Sequence, residues 1–267
     1  MKWIIYCMLL AGMLLSFSSK GQILTGPLLG GQISRMQHSS QYEGIDYRQS
    51  FAVGYHGGWS YSYSIENSSL AFYSELLYSR KSTVQHYNSR STRVIKHQRI
   101  ARFIEVPLLL RWVQPIQRGK TSWFLEIGPQ VSYWIGGNGD ILAYEFFGSD
   151  DIENIPYDIK FSDDGALTAE KMTVSQAKRV QFGLCIGGGV NVPINRKGHK
   201  IMIDVRYVSG STFMANDDSQ PIGFSEIEDF LDFKYNTIQV STAYLFPIDI
   251  LGLRKGKSSH KIKHKKR

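Results

Sequence analysis

The residues with the clearest potential for chemistry are seven ionisable side chains at alternating positions within strand-like segments. Each lies on the face that also carries glycine, serine and alanine, which is typical of a crowded interior. Unpaired charges in a narrow interior are very costly, so four acids and three arginines there are expected to pair. The set consists of Glu75, Glu105, Arg111, Glu126, Arg179, Asp204 and Arg206.

Two functions fit such a charged interior. The first is a salt-bridged plug that fills and closes the lumen of a small barrel. The second is a narrow polar conduit or a proton-sensitive gate. The sequence does not separate them, because both need the same residue types at the same positions.

The histidines give little support for catalysis. Nucleophilic catalysis needs a nucleophile, a base and an orienting group that converge. His38, His86 and His97 fall in polar segments rich in serine, while His56 alternates with glycine and serine and is expected to be a hydrogen-bonded interior residue. We therefore predict that the protein is not an enzyme and has no catalytic residues.

No cofactor or metal site is predicted either. A group of acids in the longest polar segment offers oxygen ligands for a hard cation, but lacks the spacing of an EF-hand loop. A solvated acidic loop is the simpler interpretation. These acids are Asp140, Asp150, Asp151, Glu153, Asp163 and Asp164.

The elements that position the interior charges are predicted to be β-strands, because apolar and small or polar residues alternate with a period of two. In the segment 51–64, the aromatic face includes Phe51, Trp59 and Tyr61, and the other face is mostly glycine, serine and alanine. Eight such segments predict an all-β fold, a single antiparallel up-and-down transmembrane barrel with eight strands. The predicted strands are Gly26–Arg35, Phe51–Ser64, Leu70–Ser79, Phe103–Trp112, Trp123–Tyr133, Arg179–Asn191, Ile201–Tyr207 and Thr237–Phe246.

The connections between these strands alternate in length. Short links are predicted at 65–69, 113–120 and 193–199, and long ones at 36–49, 80–96, 137–176 and 215–232. Outer-membrane barrels have short periplasmic turns and long outer loops, so both termini are expected in the periplasm. Pro107 lies inside a predicted strand without an amide to donate, which makes it a candidate for a bulge.

The ends of the chain differ from the barrel. Residues 1–21 have Lys2, an apolar run and small residues before Gln22, which is typical of a secretory signal peptide. Cys7 leaves with that segment, so Cys185 is the lone cysteine of the mature chain. Ten positive charges lie in residues 1–21 and 254–267. Since the whole chain has a net charge of +8, the barrel segment between these ends has a net charge of −2. The basic tail, 254–267, is expected to be disordered and periplasmic, and we predict no nucleic-acid partner.

The sequence resembles a known barrel family in two neighbouring segments. Residues 103–112, FIEVPLLLRW, are similar to the strand of hydrophobic, Glu, hydrophobic, Pro, Leu-Leu-Leu, basic and aromatic residues in the PorT-like outer-membrane β-barrel proteins of Bacteroidetes. The segment 125–129, LEIGP, resembles the next strand of that family, and the glycines at 187–189 and a closing aromatic strand also fit. The resemblance covers about residues 24–246 and implies the barrel but no specific function; the basic tail departs from the family pattern.

These patterns favour an outer-membrane barrel with a structural or interaction role. The expected partners are outer-membrane lipid, lipopolysaccharide and an envelope protein. A component of a transport or type IX-like secretion apparatus, or a narrow pore, is the alternative. A soluble lipocalin-like carrier also has eight strands, but it would have an apolar interior and a charged exterior.

Overall fold

The computed structural model describes residues 22–38, 47–87, 94–116, 121–144, 152–161, 171–174, 177–195, 197–214 and 233–248. The predicted signal peptide and the basic tail lie outside the described residues, as do Asp150, Asp151, Asp163 and Asp164 of the acidic segment. The strands are β1 (Gln22–His38), β2 (Tyr47–Ser50), β3 (Ala52–Ser64), β4 (Leu70–Tyr87), β5 (Val94–Pro115), β6 (Ser122–Tyr144), β7 (Ile152–Phe161), β8 (Lys171–Val174), β9 (Val180–Pro193), β10 (Lys200–Gly210) and β11 (Phe233–Ile248).

Eight of these strands form a closed antiparallel ring in the order β1, β3, β4, β5, β6, β9, β10, β11. The ring closes where β1 pairs with both β3 and β11, so that Gly30 lies opposite His56 on one side and Ser241 on the other. The eight ring strands follow one another in chain order, with β2, β7 and β8 outside the ring. The predicted eight-stranded up-and-down barrel is therefore confirmed.

Three short connections lie at one end of the ring, which we call the turn end, and the opposite end is the loop end. The β3–β4 turn has Asn67 in the left-handed region, with a φ of 57°. The β9–β10 turn is closed by a 2.9 Å hydrogen bond from the Ile194 amide to the His199 carbonyl. The third turn joins β5 to β6.

The strands at the loop end are longer than the alternation predicts. Much of segments 80–96 and 137–176, expected to be loops, continues β4, β5 and β6 or forms β7 and β8. β2 adds to β4, β7 pairs with β6, and β8 pairs in parallel with β7. The expected loops were wrong here because these extensions keep their backbone pairing without presenting an apolar outward face, so the period of two disappears.

The candidate bulge at Pro107 was also wrong. Pro107 lies opposite Gln130 in the β5–β6 ladder, and the register shifts instead between Arg102 and Phe103. On β6 this shift accompanies Gly136, whose φ is +138°, a value that residues with a Cβ rarely adopt. The irregularity therefore lies where the strands continue beyond the regular barrel.

The two faces of the barrel wall differ in polarity. Outward side chains such as Leu184, Ile186 and Val205 are more than half exposed, whereas Arg206 on the inward face is 1% exposed. Trp112 and Trp123 pack edge to face near the turn end, with ring centroids 5.4 Å apart. A soluble carrier would have the reverse arrangement, so that alternative was wrong. In the part of the chain described, no helix is long and apolar enough to cross a membrane.

Candidate functional site: ion clusters in the barrel interior

Arg206 of β10 is the centre of the larger ion cluster. Its Nη1 and Nη2 donate to the two carboxylate oxygens of Glu75 at 2.9 and 3.0 Å. Its Nε donates to Oε1 of Glu126 at 2.8 Å, and Nη2 also donates to Oδ2 of Asp204 at 2.9 Å. One guanidinium thus contacts three carboxylates from three strands.

Glycines on β9 allow Arg206 to reach Glu126. β9 lies between β10 and β6, and Gly187 is the residue opposite both Arg206 and Glu126. Gly189 lies opposite Asp204 in the same way, and a Cβ there would lie 2.7 Å from Cζ of Phe124 and 2.2 Å from the Ile203 carbonyl oxygen. The inward glycines leave the space that the long side chains of β10 occupy.

Arg111 of β5 binds the second oxygen of Glu126. Its Nε lies 2.6 Å from Oε2, so Glu126 bridges the two arginines. The guanidinium carbon lies 3.1 Å from the ring centroid of Tyr73 and 4.2 Å from that of Phe124. Aromatic faces attract a guanidinium, which helps to offset its removal from water.

Glu105 belongs to a separate ion pair, with a residue that the sequence analysis missed. Nζ of Lys81 lies 2.7 Å from Oε1 of Glu105, and Ser132 donates to the same oxygen at 3.2 Å. Lys81 also lies over the ring of Phe103, 4.8 Å from its centroid. The inward alternation of β4 continues to position 81, and that continuation was the available signal.

Arg179 does not join either ion cluster. It is half-buried just before β9, where its Nε donates to the Trp134 carbonyl at 3.2 Å. The guanidinium lies over the rings of Tyr133 and Phe161, 4.6 and 4.4 Å from their centroids. The predicted grouping with the other six residues was wrong for Arg179, because it precedes the regular ladder and its direction is set by these rings.

A layer of buried apolar side chains lies at the loop end of the ion clusters. Phe103 packs against Trp134 and, edge to face, against Tyr235, with centroids 6.5 and 5.9 Å away. The alternation of β5 places Phe103 inward but does not predict this layer, because the layer also includes residues of β7 and of segments at strand ends. Its buried members are Met36, Ala101, Phe103, Trp134, Ile141, Tyr157, Ile159, Met214, Phe233 and Tyr235.

His56 is a hydrogen-bonded interior residue, as expected. Its Nε2 lies 2.8 Å from Oγ of Ser241, and both side chains are 2% exposed. Gly30 separates them in the ladder, and a Cβ at that position would lie 2.4 Å from His56 Nε2. The pair has the spacing of a nucleophile and a base, but Nδ1 has no hydrogen-bond partner to orient it among the described residues.

The larger cluster contains one more carboxylate than guanidinium groups. Arg206 and Arg111 face Glu75, Glu126 and Asp204, and Oδ1 of Asp204 has no hydrogen-bond partner within the described residues. Asp204 accepts one hydrogen bond from an arginine, whereas Glu75 and Glu126 each accept two. The described residues contain no group of three or more His, Cys, Asp or Glu side chains arranged to hold a metal ion.

An apolar exterior around a polar, ion-paired interior is the arrangement of a membrane β-barrel. The sequence matches the family model for the outer membrane protein beta-barrel domain over residues 17–212. The chain therefore belongs to this family and is an outer-membrane β-barrel protein. No curated protein matches the sequence.

Several solved structures are similar in fold. Neisserial surface protein A (NspA) has 10% identity and a TM-score of 0.39, covering 85% of this chain and 97% of its own. Ail of Yersinia pestis, solved with the heparin analogue sucrose octasulfate, has 14% identity and a TM-score of 0.33, covering 84% and 99%. The translocator domain of NalP from Neisseria meningitidis has 6% identity and a TM-score of 0.29, covering 89% and 92%.

The surplus carboxylate predicts unequal costs for two substitutions. Arg206→Gln leaves three buried carboxylates with Arg111 alone and is expected to lower the free energy of unfolding by about 3–5 kcal/mol. Asp204→Asn removes the surplus charge and keeps an oxygen for Arg206, so it is expected to cost less than about 1 kcal/mol. Urea unfolding in lipid vesicles measures both, and equal costs would contradict this account of the cluster.

The close approach at β9 predicts that Gly189→Ala destabilises the barrel. The added methyl must displace Phe124 or the neighbouring strand, at a cost of about 1–3 kcal/mol. Gly31→Ala is the matched control, since a Cβ on Gly31 meets nothing within 4 Å. Unfolding of both variants in vesicles tests the space requirement, and a Gly189→Ala barrel as stable as the control would refute it.

Proposed function

We propose that this outer-membrane barrel is non-enzymatic, has a closed lumen and serves a structural or interaction role. The observation that carries the proposal is the ion pair between Arg206 and Glu75. β10 and β4 lie on opposite sides of the ring, with three strands between them in either direction. A two-pronged bond at 2.9 and 3.0 Å across the ring leaves the centre of the lumen occupied by protein.

The apolar layer supports closure at a second level. Phe103, Trp134 and Phe233 are each 0% exposed, so solvent does not reach them from either end. Lys81 lies between this layer and Glu105, and its ion pair with Glu105 neutralises its charge. A plug of this kind makes the lumen part of the hydrophobic and ionic core of the protein.

The buried His56–Ser241 pair is the arrangement closest to a catalytic dyad among the described residues. It lacks an orienting group on Nδ1, and its 2% exposure denies a substrate access. These two properties support the non-enzymatic assignment. The role then falls to the surfaces of the barrel and its connections.

For the orientation, we infer that the turn end faces the periplasm and that both termini lie there. Short turns at 65–69, 116–121 and 194–199 lie at one end, and the long connections lie at the other, which is the usual outer-membrane arrangement. Outer-leaflet lipid and lipopolysaccharide would then surround the loop end. The tail at 254–267 would be available to an envelope protein or to anionic groups in the periplasm.

The second candidate is a component of a transport or type IX-like secretion apparatus. The resemblance of residues 103–112 to PorT-like proteins of Bacteroidetes favours the secretion role. We propose that the chain belongs to the PorT-like proteins. A deletion strain discriminates the two roles. Loss of protein export with an intact envelope supports the secretion role, while an envelope defect with normal export supports the structural role.

A closed lumen predicts that the protein does not conduct ions. Purified wild-type protein inserted into planar lipid bilayers at neutral pH is expected to give no stepwise conductance. The double variant Arg206→Ala/Phe103→Ala removes side chains from both levels and is expected to give steps if it remains folded. Insertion is verified by a heat-modifiable band in unboiled gels, and steady conductance of the wild type would reject closure in favour of a pore.

A further inference from the structure

Basic side chains lie where the apolar outward columns end at the loop end of the barrel. On β1, Arg35 follows Ile33, and on β4, Arg80 follows Tyr78, each two positions further along the outward face. On β5, which runs in the opposite direction, Arg102 precedes Ile104. At the turn end, by contrast, the outward column of β5 continues past Trp112 to Gln114, which carries no charge.

Two of these arginines are direct neighbours. Arg80 and Arg102 are opposite residues in the β4–β5 ladder, and both lie on the outward face. Like charges directly opposite each other destabilise a sheet. A pairing of this kind is therefore a cost to the barrel unless something negative lies between the two guanidinium groups.

Neither arginine forms an ion pair within 4 Å in the described part of the protein, although Asp158 lies opposite Asn138 in the β6–β7 ladder. Arg102 donates from Nη2 to Oδ1 of Asn138 at 2.5 Å, and Arg80 lies 5.7 Å from the ring centroid of Tyr55. Neither contact is with a carboxylate. The donors that remain form a cationic pair whose planar forks match the geometry of a phosphate group.

The depth of the pair indicates which phosphate. Tyr55 lies opposite Arg80 in the β3–β4 ladder, and Tyr78 and Ile104 lie just below the pair on the outward face. Aromatic side chains of membrane barrels concentrate at the lipid interface. A group held at this level is in the headgroup region and not in bulk solvent. The anions enriched there are lipid phosphates.

We propose that Arg80 and Arg102, with the amide of Asn138 beside them, bind the phosphate group of an outer-leaflet lipid. The assignment to the outer leaflet rests on the proposed orientation of the barrel. The lipid is identified by its chemistry, a phosphorylated headgroup above acyl chains that cover the apolar face. It also explains why two like charges persist opposite each other at one end of the barrel.

The experiment is lipid retention by the full mature chain, measured by native mass spectrometry after purification with a phosphorylated lipid A or its dephosphorylated form. Wild-type protein is expected to retain the phosphorylated form preferentially. The double variant Arg80→Gln/Arg102→Gln is expected to retain at least about tenfold less of the phosphorylated lipid than the wild type, because two charge-assisted contacts disappear. Lys197→Gln/Lys200→Gln, at the opposite end, is the charge-matched control and should retain lipid like the wild type.

Three results would overturn the proposal: equal retention of both lipid forms, equal loss in both double variants, or displacement of the lipid by an equal concentration of inorganic phosphate. The last result would define a site for free phosphate. A second measurement is independent of retention. In micelles of a maltoside detergent, which carries neither charge nor phosphate, Arg102→Gln should unfold at the same or higher urea concentration than wild type, since the unfavourable pairing is removed. Unfolding of Arg102→Gln at a lower urea concentration than wild type would show that Arg80 and Arg102 do not repel each other, and would contradict the proposal.

Orientation is tested separately by labelling whole cells with an impermeant maleimide. Gln37→Cys, exposed at the loop end, is expected to react, whereas Lys197→Cys reacts only after the outer membrane is permeabilised. Cys185 is buried and does not interfere. The reverse labelling pattern with intact lipid retention would reject the proposed orientation and the assignment to the outer leaflet, while leaving the phosphate site in place.

Discussion

The structure depends on the pairing of charged side chains that are buried inside the barrel. Arg206 meets three carboxylates at 2.8–3.0 Å, and Glu126 passes the interaction on to Arg111. Removing one partner from such a set leaves an unpaired buried charge, which is strongly destabilising. Each ionic side chain in the interior therefore depends on the others. The ions therefore impose a specific arrangement on strands whose outward faces, Leu, Ile, Val and aromatic residues in lipid, have little specificity.

Backbone geometry and ion pairing are linked through β9. Its inward positions are glycine where the side chains of Arg206 and Asp204 must pass, and its outward positions are large apolar residues such as Leu184 and Ile186. One strand thus provides space to the interior and contact area to the lipid. The apolar layer around Phe103 is linked to the ion pairs as well, because its rings contact the cation of Lys81.

The sequence was sufficient for the parts of the fold that repeat. A period of two identified all eight ring strands and placed Glu75, Arg111, Glu126 and Arg206 on the same face, because the barrel wall alternates strictly between lipid and interior. The same reasoning failed where the outward face is no longer apolar. Lys81 was assigned to a loop although β4 continues through it, and the bulge lies near Gly136 and not at Pro107.

Partners across the ring were beyond reach of the sequence for a different reason. Pairing between neighbouring strands follows from chain order, but the contact between Arg206 and Glu75 depends on barrel diameter and side-chain length. The contacts of Arg179 could not be predicted from the sequence either. Aromatic rings from two elements determine the direction of its side chain, because it lies outside the regular ladder. By residue type Arg179 is equivalent to Arg206, but its position outside the regular ladder gives its side chain different contacts.

A double-mutant cycle on Glu75 and Arg206 tests the central claim most directly. Urea unfolding of Glu75→Gln, Arg206→Met and the double variant in vesicles gives the coupling free energy between the two side chains. A bidentate pair spanning the barrel predicts a coupling of at least about 1.5 kcal/mol, with the double variant more stable than the sum of the single losses implies. Additive losses within about 0.5 kcal/mol would show that the two side chains do not meet across the lumen.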